Sequence, residues 1–197
     1  MTPLLTPPPR NPTPLRWTCD AFHDLCSTGV FAGRRAILID GVIITMALPT
    51  PPHNTSLFLT QDLLRAIFTT GHHVRSQVAF DVGTANDPGP DLAVVPGSIR
   101  DYATRQATAA VLIVEVSDTT LFMDTTTKAE LYATPGVEDY WVIDVEHRVL
   151  LVFRDPVPLP AGLGAAAYRT HLTLGPTDRI SPLAAPGSSI QVADLLP

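Results

Sequence analysis

Lysine is almost absent from this sequence: against twelve arginines there is one, Lys128. Cysteine is nearly as scarce. Cys19 and Cys26 are the only two and have no second pair, which excludes a disulfide framework and a four-ligand zinc spacing. That usage makes a reducing, cytoplasmic setting the expected one. No apolar run approaches the roughly 18 residues that a membrane span needs. The N-terminal MTPLLTPPPR lacks the charged leader and apolar centre of a signal peptide. Positive charge is in deficit as well. A formal net charge of −6 excludes a protein that coats nucleic acid by bulk electrostatics alone, while leaving room for a local basic rim around an acidic site.

Several motifs are missing too. There is no G-x-x-x-x-G-K-S/T phosphate loop and no dinucleotide fingerprint. Ser98 and Ser117 have no nucleophile elbow around them. His72-His73 has no acidic residue at ligand spacing and reads as an exposed strand-entry pair.

What is present is a chain of 197 residues, 45% hydrophobic, enough for a core that folds without staples. Residues 1–16 are crowded with proline and aperiodic, and read as a flexible arm; 17–197 reads as one domain. TCDAFHDLCSTG (18–29) predicts a short amphipathic helix, and RRAILIDGVIITMA two strands hinged at Asp40-Gly41. Pro51 and Pro52 suit the first turn of a helix running toward Gly71. HHVRSQVAFDVG (72–83) reads as a strand, then Asn86 to Pro90 as a turn. PDLAVV, VLIVEV, DYWVID and VLLVFR are short strands, with DTTTKAELYATPG (124–136) between the second and third as one helix carrying an Asp cap and a Pro-Gly stop. Tyr168 to Leu174 could be a last strand, with a proline-broken tail after it. The class is α/β.

In VLIVEV, Ile113 and Glu115 share a face, and both faces are apolar. Glu115 therefore stands where a lone carboxylate is costly to desolvate, and needs a cation, a hydrogen-bond network or a raised pKa. Its plainer reading is a core acid satisfied by an arginine or by backbone amides. Asp91 opens another buried-looking strand, and taken alone reads as a turn aspartate. Together, two hard carboxylates on adjacent strands suit magnesium, which takes one or two protein carboxylates plus water and phosphate oxygens. Lys128 lies four residues after Asp124 and shares a helical face with Leu131 and Tyr132, which are the inward residues. A compact ammonium suits a site holding water or phosphate beside a metal, whereas guanidinium is larger and planar. The plainer reading is a solvated lysine paired with Asp124.

The order LIDG (38–41), PTPPHN (49–54), PDLAVV (90–95), LIVEVSD (112–118), the helix with Asp124 and Lys128, and YATPGVEDYWVID (132–144) resembles the Uma-two family of restriction endonucleases, within the wider PD-(D/E)XK nuclease superfamily. The resemblance runs from about residue 17 to the C-terminus. It implies a restriction-endonuclease-like core, a central mixed β-sheet flanked by helices, with Asp91 and Glu115 as metal-binding catalytic acids. The lysine usual two residues after the glutamate is replaced by Ser117, and Lys128 on the following helix takes its part. His53 and Asp40 match positions that serve as accessory residues, alongside Asp124. The implied activity is magnesium-dependent (or manganese-dependent) hydrolysis of DNA phosphodiester bonds, with Arg34, Arg35, Arg75, Arg100 and Arg105 as candidate phosphate contacts. Two departures, Ile37 and Val42 where the family carries acids, imply a weakened or altered metal site. They motivate a rival, a catalytically idle relative that binds nucleic acid or a protein partner. A homodimer built on apolar strand edges near 149–154 is compatible with either.

Overall fold

Short runs of β-branched and aromatic residues set the scaffold, because such side chains fit a pleated surface covered on both faces. The computed structural model describes residues 13–160 and 165–197. Among them the elements are α1 (Cys19–Ser27), β1 (Arg35–Ile39), β2 (Val42–Met46), α2 (Pro51–Ile67), β3 (His72–Ser76), β4 (Leu92–Pro96), β5 (Leu112–Ser117), α3 (Leu121–Thr125), α4 (Thr127–Ala133), β6 (Asp139–Asp144), β7 (Val149–Pro158) and β8 (Ala166–Leu174). A small hairpin of β9 (Arg179–Ile180) and β10 (Ile190–Gln191) follows. The expected arm over 1–16 lies, through residue 12, outside the described residues. None of the described helices is long and apolar enough to cross a membrane.

One six-stranded mixed sheet runs β3-β4-β5-β6-β7-β8. Every pairing in it is antiparallel except β5 with β6. That parallel pair needs a crossover, and α3 with α4 supplies it. One face of the sheet (Leu92, Val94, Leu112, Val114, Trp141, Ile143 and Val152) packs on Leu57, Leu64 and Phe68 of the α2 region and on Ile180, Ile190, Val192 and Leu195 of the C-terminal segment. The other (Ala93, Val95, Ile113, Tyr140, Val142 and Phe153) packs on Ala129, Tyr132 and Ala133 of α4. Each large apolar side chain buried contributes roughly 1.5–3 kcal/mol, so packing rather than helix propensity holds the short α4 in place.

Asp139 anchors the C-terminal segment. Fully buried, it accepts from Trp141 Nε1 (2.7 Å), from Arg154 Nε (2.8 Å) and Nη2 (3.2 Å), and from the Leu183 backbone N (2.9 Å). A buried carboxylate with that many donors has its lone pairs satisfied and fixes chain segments 44 residues apart.

Three expectations need correction. The strand expected over 72–83 ends at Ser76: Gln77 N still donates to Asp91 O in register with β4, but Gln77 adopts a left-handed backbone (φ 51°) that turns the chain off the sheet. The single helix expected over 124–136 is two. The Thr125 and Thr126 hydroxyls donate back to Leu121 O (2.7 Å) and Phe122 O (2.5 Å), and Thr126 leaves the helical region at φ −119°, ψ −80°. Asp124 is therefore a buried residue of α3 rather than a cap. The apolar edge expected near 149–154 is not an edge, since β7 lies between β6 and β8 and its backbone groups are taken on both sides.

The β1–β2 hairpin lies outside the six-stranded sheet, bridged at Leu38 to Asp87, and turns at Asp40 (φ 47°) and Gly41 (φ 70°). The N-terminal segment crosses that turn: Trp17 N donates to Gly41 O, and a Cβ on Gly41 would lie 2.7 Å from Arg16 Cβ. Gly41→Ala should therefore lower stability by about 1–2 kcal/mol in urea denaturation.

Candidate active site

The β4–β5 register brings the two acids together. Leu92 pairs with Val114, so one step further Asp91 stands opposite Glu115 at the end of the ladder. Asp91 N also donates to Glu115 Oε2 (3.4 Å), and the next residue of β5, through Val116 N, donates to Asp91 Oδ2 (2.9 Å). Both acids are 1% exposed. From the crossover, Lys128 reaches in from the first turn of α4, its Nζ 3.0 Å from Glu115 Oε1 and 3.0 Å from Asp124 Oδ1. The molecule's one lysine thus has a side chain 4% exposed, between two buried carboxylates. Tyr132, one turn on, donates its hydroxyl to Glu115 Oε1 (2.7 Å), and Thr120 Oγ1 donates to Asp124 Oδ2 (2.5 Å).

Asp91 has its own partners. Arg35 Nη1 lies 2.8 Å from Oδ1, Gln77 Nε2 donates to the same oxygen at 3.3 Å, and His53 Nε2 lies 3.2 Å from Oδ2. His53 is set by the start of α2, where Thr50 caps the helix and Pro51 and Pro52 fill the first turn. The His53 Nδ1 is buried and has no hydrogen-bond partner among the described residues. Thr50 also ties the helix start to the β5–α3 loop, donating to Asp118 Oδ2 (2.5 Å).

This packing splits the two acids electrostatically. Burial works against the Asp91 anion, but the His53 hydrogen bond, Arg35 and Lys128 outweigh it and hold the carboxyl well below the usual range. Glu115, buried beside two other acids, is pushed up to about 7; the Lys128 charge limits the rise. For Lys128, burial opposes the charge, yet Glu115, Asp124 and Asp91 together raise its pKa. The ammonium therefore stays protonated throughout the neutral range.

The groups line a cleft of about 90 Å³, rimmed by Arg35, Met46 to Thr50 and Asp118 to Thr120. A wider cleft of about 870 Å³ lies between α4, β8 and the β1–β2 turn, but it holds none of the three. We take the charged cleft as the candidate site, because chemistry follows the converging charges and not the volume. Of the predicted residues, Asp91, Glu115, Lys128, His53 and Asp124 come together here. Asp40 does not. It sits exposed on the hairpin turn, its backbone bonded to Asn86 and Arg16, and lines the wider cleft. Arg75 is committed elsewhere, to Gln106 and the Tyr102 ring. Ser117 is buried, its hydroxyl 3.5 Å from that of Thr120. Three participants are not foreseen as site partners: Arg35 (expected at phosphate), Gln77, and Tyr132 (expected as packing). The spacing of Tyr132 from Lys128 was the one available signal.

Among the described residues, no three of His, Cys, Asp and Glu gather as ligands for one ion. The donor set still fits magnesium, which needs only one or two carboxylates. Glu115 Oε2 has a single distant partner and keeps lone pairs free.

An antiparallel strand pair carrying two opposed acids, its second strand followed by a helical crossover that carries a lysine, is the arrangement of a restriction-endonuclease-like α/β protein. A family model described as "Putative restriction endonuclease" matches residues 19–193, and the chain belongs to that family, Uma2. A solved structure from Anabaena variabilis ATCC 29413, described as a putative nuclease, shares the fold with a TM-score of 0.69 at 17% identity, covering 90% of this chain and 96% of that one. No curated protein matches the chain.

Proposed function

We propose that this protein is a magnesium- or manganese-dependent endonuclease that hydrolyses DNA phosphodiester bonds in the Asp91–Glu115–Lys128 cleft. The observation that carries this reading is the burial of the only lysine against Glu115 and Asp124, next to Asp91. A chain that uses arginine at every other basic position keeps a compact ammonium here, against Glu115 and Asp124 and near Asp91.

Asp91 and Glu115 would hold the ion. When bound, it would supply Lewis acidity toward the phosphoryl oxygen and lower the pKa of water. Lys128 holds its proton beside Glu115 and offers positive charge to the phosphate as negative charge builds there. Tyr132 fixes Glu115 by donating to the oxygen that Lys128 also contacts. Asp124, through Lys128 and Thr120, keeps the ammonium from drifting.

The test is supercoiled plasmid incubated with the purified full-length protein in millimolar magnesium or manganese and, in parallel, in excess chelator. Nicked and linear products are expected with metal and none with chelator. Cleavage that survives chelation would overturn the metal reading. A second reading, an idle relative that binds nucleic acid or a protein, draws on the Arg35–Asp91 ion pair and on buried Ile37 standing where the family carries an acid. It is favoured if no cleavage occurs and neither metal raises the melting temperature.

A further inference from the structure

The Asp91 carboxylate is saturated. It offers about four acceptor positions, and Arg35, Gln77, Val116 N and His53 occupy them. Any divalent cation approaching this acid must therefore dislodge a partner. Val116 N belongs to the backbone of a fully buried strand and cannot withdraw. His53 is held in the first turn of α2 at 6% exposure. Gln77 is neutral, and its contact is the longest of the four. Arg35 alone combines a full positive charge, a flexible stem, partial exposure (21% for its side chain) and a place on the cleft rim. It is also carried by a hairpin outside the main sheet, and its second anchor is a hydrogen bond to the Gly89 carbonyl.

We propose that Arg35 is an internal counter-ion that competes with the metal for Asp91, so that metal loading displaces the guanidinium toward the cleft mouth. This rests on the metal-dependent reading above and adds a coupling to it. Two cations a few ångströms apart repel strongly in a site of low polarity. The displaced guanidinium, planar and suited to forked contact with phosphate, then finds its replacement partner in the DNA backbone. Metal binds weakly without DNA and more tightly with it, and by linkage DNA binds more tightly with metal. The device keeps the buried Asp91 anion compensated whenever the ion is absent.

The experiment is calorimetric titration of manganese alone into the full-length protein, wild type against Arg35→Gln, with Arg35→Lys as a variant that retains the charge but loses the fork. Losing a hydrogen bond to a charged group corresponds to about tenfold or more in an equilibrium constant. Arg35→Gln should therefore bind manganese at least about tenfold more tightly than wild type in the absence of DNA, with Arg35→Lys between them. If Arg35→Gln fails to fold, Arg35→Lys must still bind more tightly than wild type. Equal or weaker binding by the folded variants, with wild type binding normally, overturns the counter-ion and leaves the metal reading standing. No manganese bound by any of the three overturns both.

Discussion

Glu115→Gln should abolish metal-dependent cleavage while making the protein's stability less sensitive to pH. The amide keeps the shape and can still accept from Lys128 and Tyr132, but it is a poor ligand for a hard cation. Losing several kcal/mol of transition-state stabilisation corresponds to about 10³-fold or more in rate, measured as single-turnover nicking. The pH effect follows from burial. Glu115 is raised from 4.5 to about 7 in the folded protein. A raised carboxyl contributes stability that is fully present below its unfolded pKa and is lost as pH rises through the folded value. In chelator, wild type should thus lose about 3 kcal/mol between about pH 4.5 and 8, and Glu115→Gln should lack this component. Asp91 acts in the opposite direction. Its depressed pKa gives stability present above about 4 and lost in acid. Urea denaturation across this pH range reads both limbs. An undiminished alkaline loss in Glu115→Gln would show that another group is responsible. Metal binding has to release the Glu115 proton, so manganese affinity should rise through neutrality.

The second large effect is expected at Lys128. Lys128→Met matches the stem and removes the charge, leaving Glu115 and Asp124 facing each other without a cation. Breaking a buried pair by deleting one partner costs about 3–5 kcal/mol, which for a domain of this size lowers the melting temperature by roughly 10 °C. Glu115 already binds a proton near neutrality and can relieve part of the strain by taking one up, so the loss should be smaller at pH 6 than at pH 8. Cleavage should fall about 10²–10³-fold, the usual consequence of removing one donor from a developing charge. Lys128→Arg restores charge but not size, and should recover stability more than rate. A Lys128→Met protein that melts like wild type at both pH values would mean that the lysine is not needed to compensate the acids.

Much of the scaffold is legible in the sequence because its signals are local. Short continuous apolar runs rich in valine and isoleucine mark β4 to β7, Asp40-Gly41 marks the hairpin turn, and Pro51-Pro52 marks the start of α2. Even the meeting of Asp91 and Glu115 could be anticipated, since each sits at a corresponding place on a neighbouring apolar strand. What stays illegible depends on distant partners. The break at Thr126 requires knowing that threonine hydroxyls will compete for the carbonyls of the preceding turn and that Tyr140 will hold Asp124 O at 2.7 Å. Arg35 reads as one of five candidate phosphate contacts until the β1–β2 hairpin is laid beside Asp91, 56 residues on. Gln77 breaks β3 for a contact with Asp91, which no periodicity encodes. Asp139 has strand-like neighbours and gives no sign of the Leu183 backbone that it holds.

The single parallel junction in the sheet also dictates when the charges meet. The antiparallel pair β6–β7 is joined by a short link and can form as soon as both strands are made. β6 cannot take its place beside β5 until α3 and α4 have been made and folded back, which requires synthesis through Asp144. Burial of Glu115, whose neighbour in β6 is Val142, is therefore expected only once the crossover is complete, so the charged cleft should be among the last parts of the sheet to assemble.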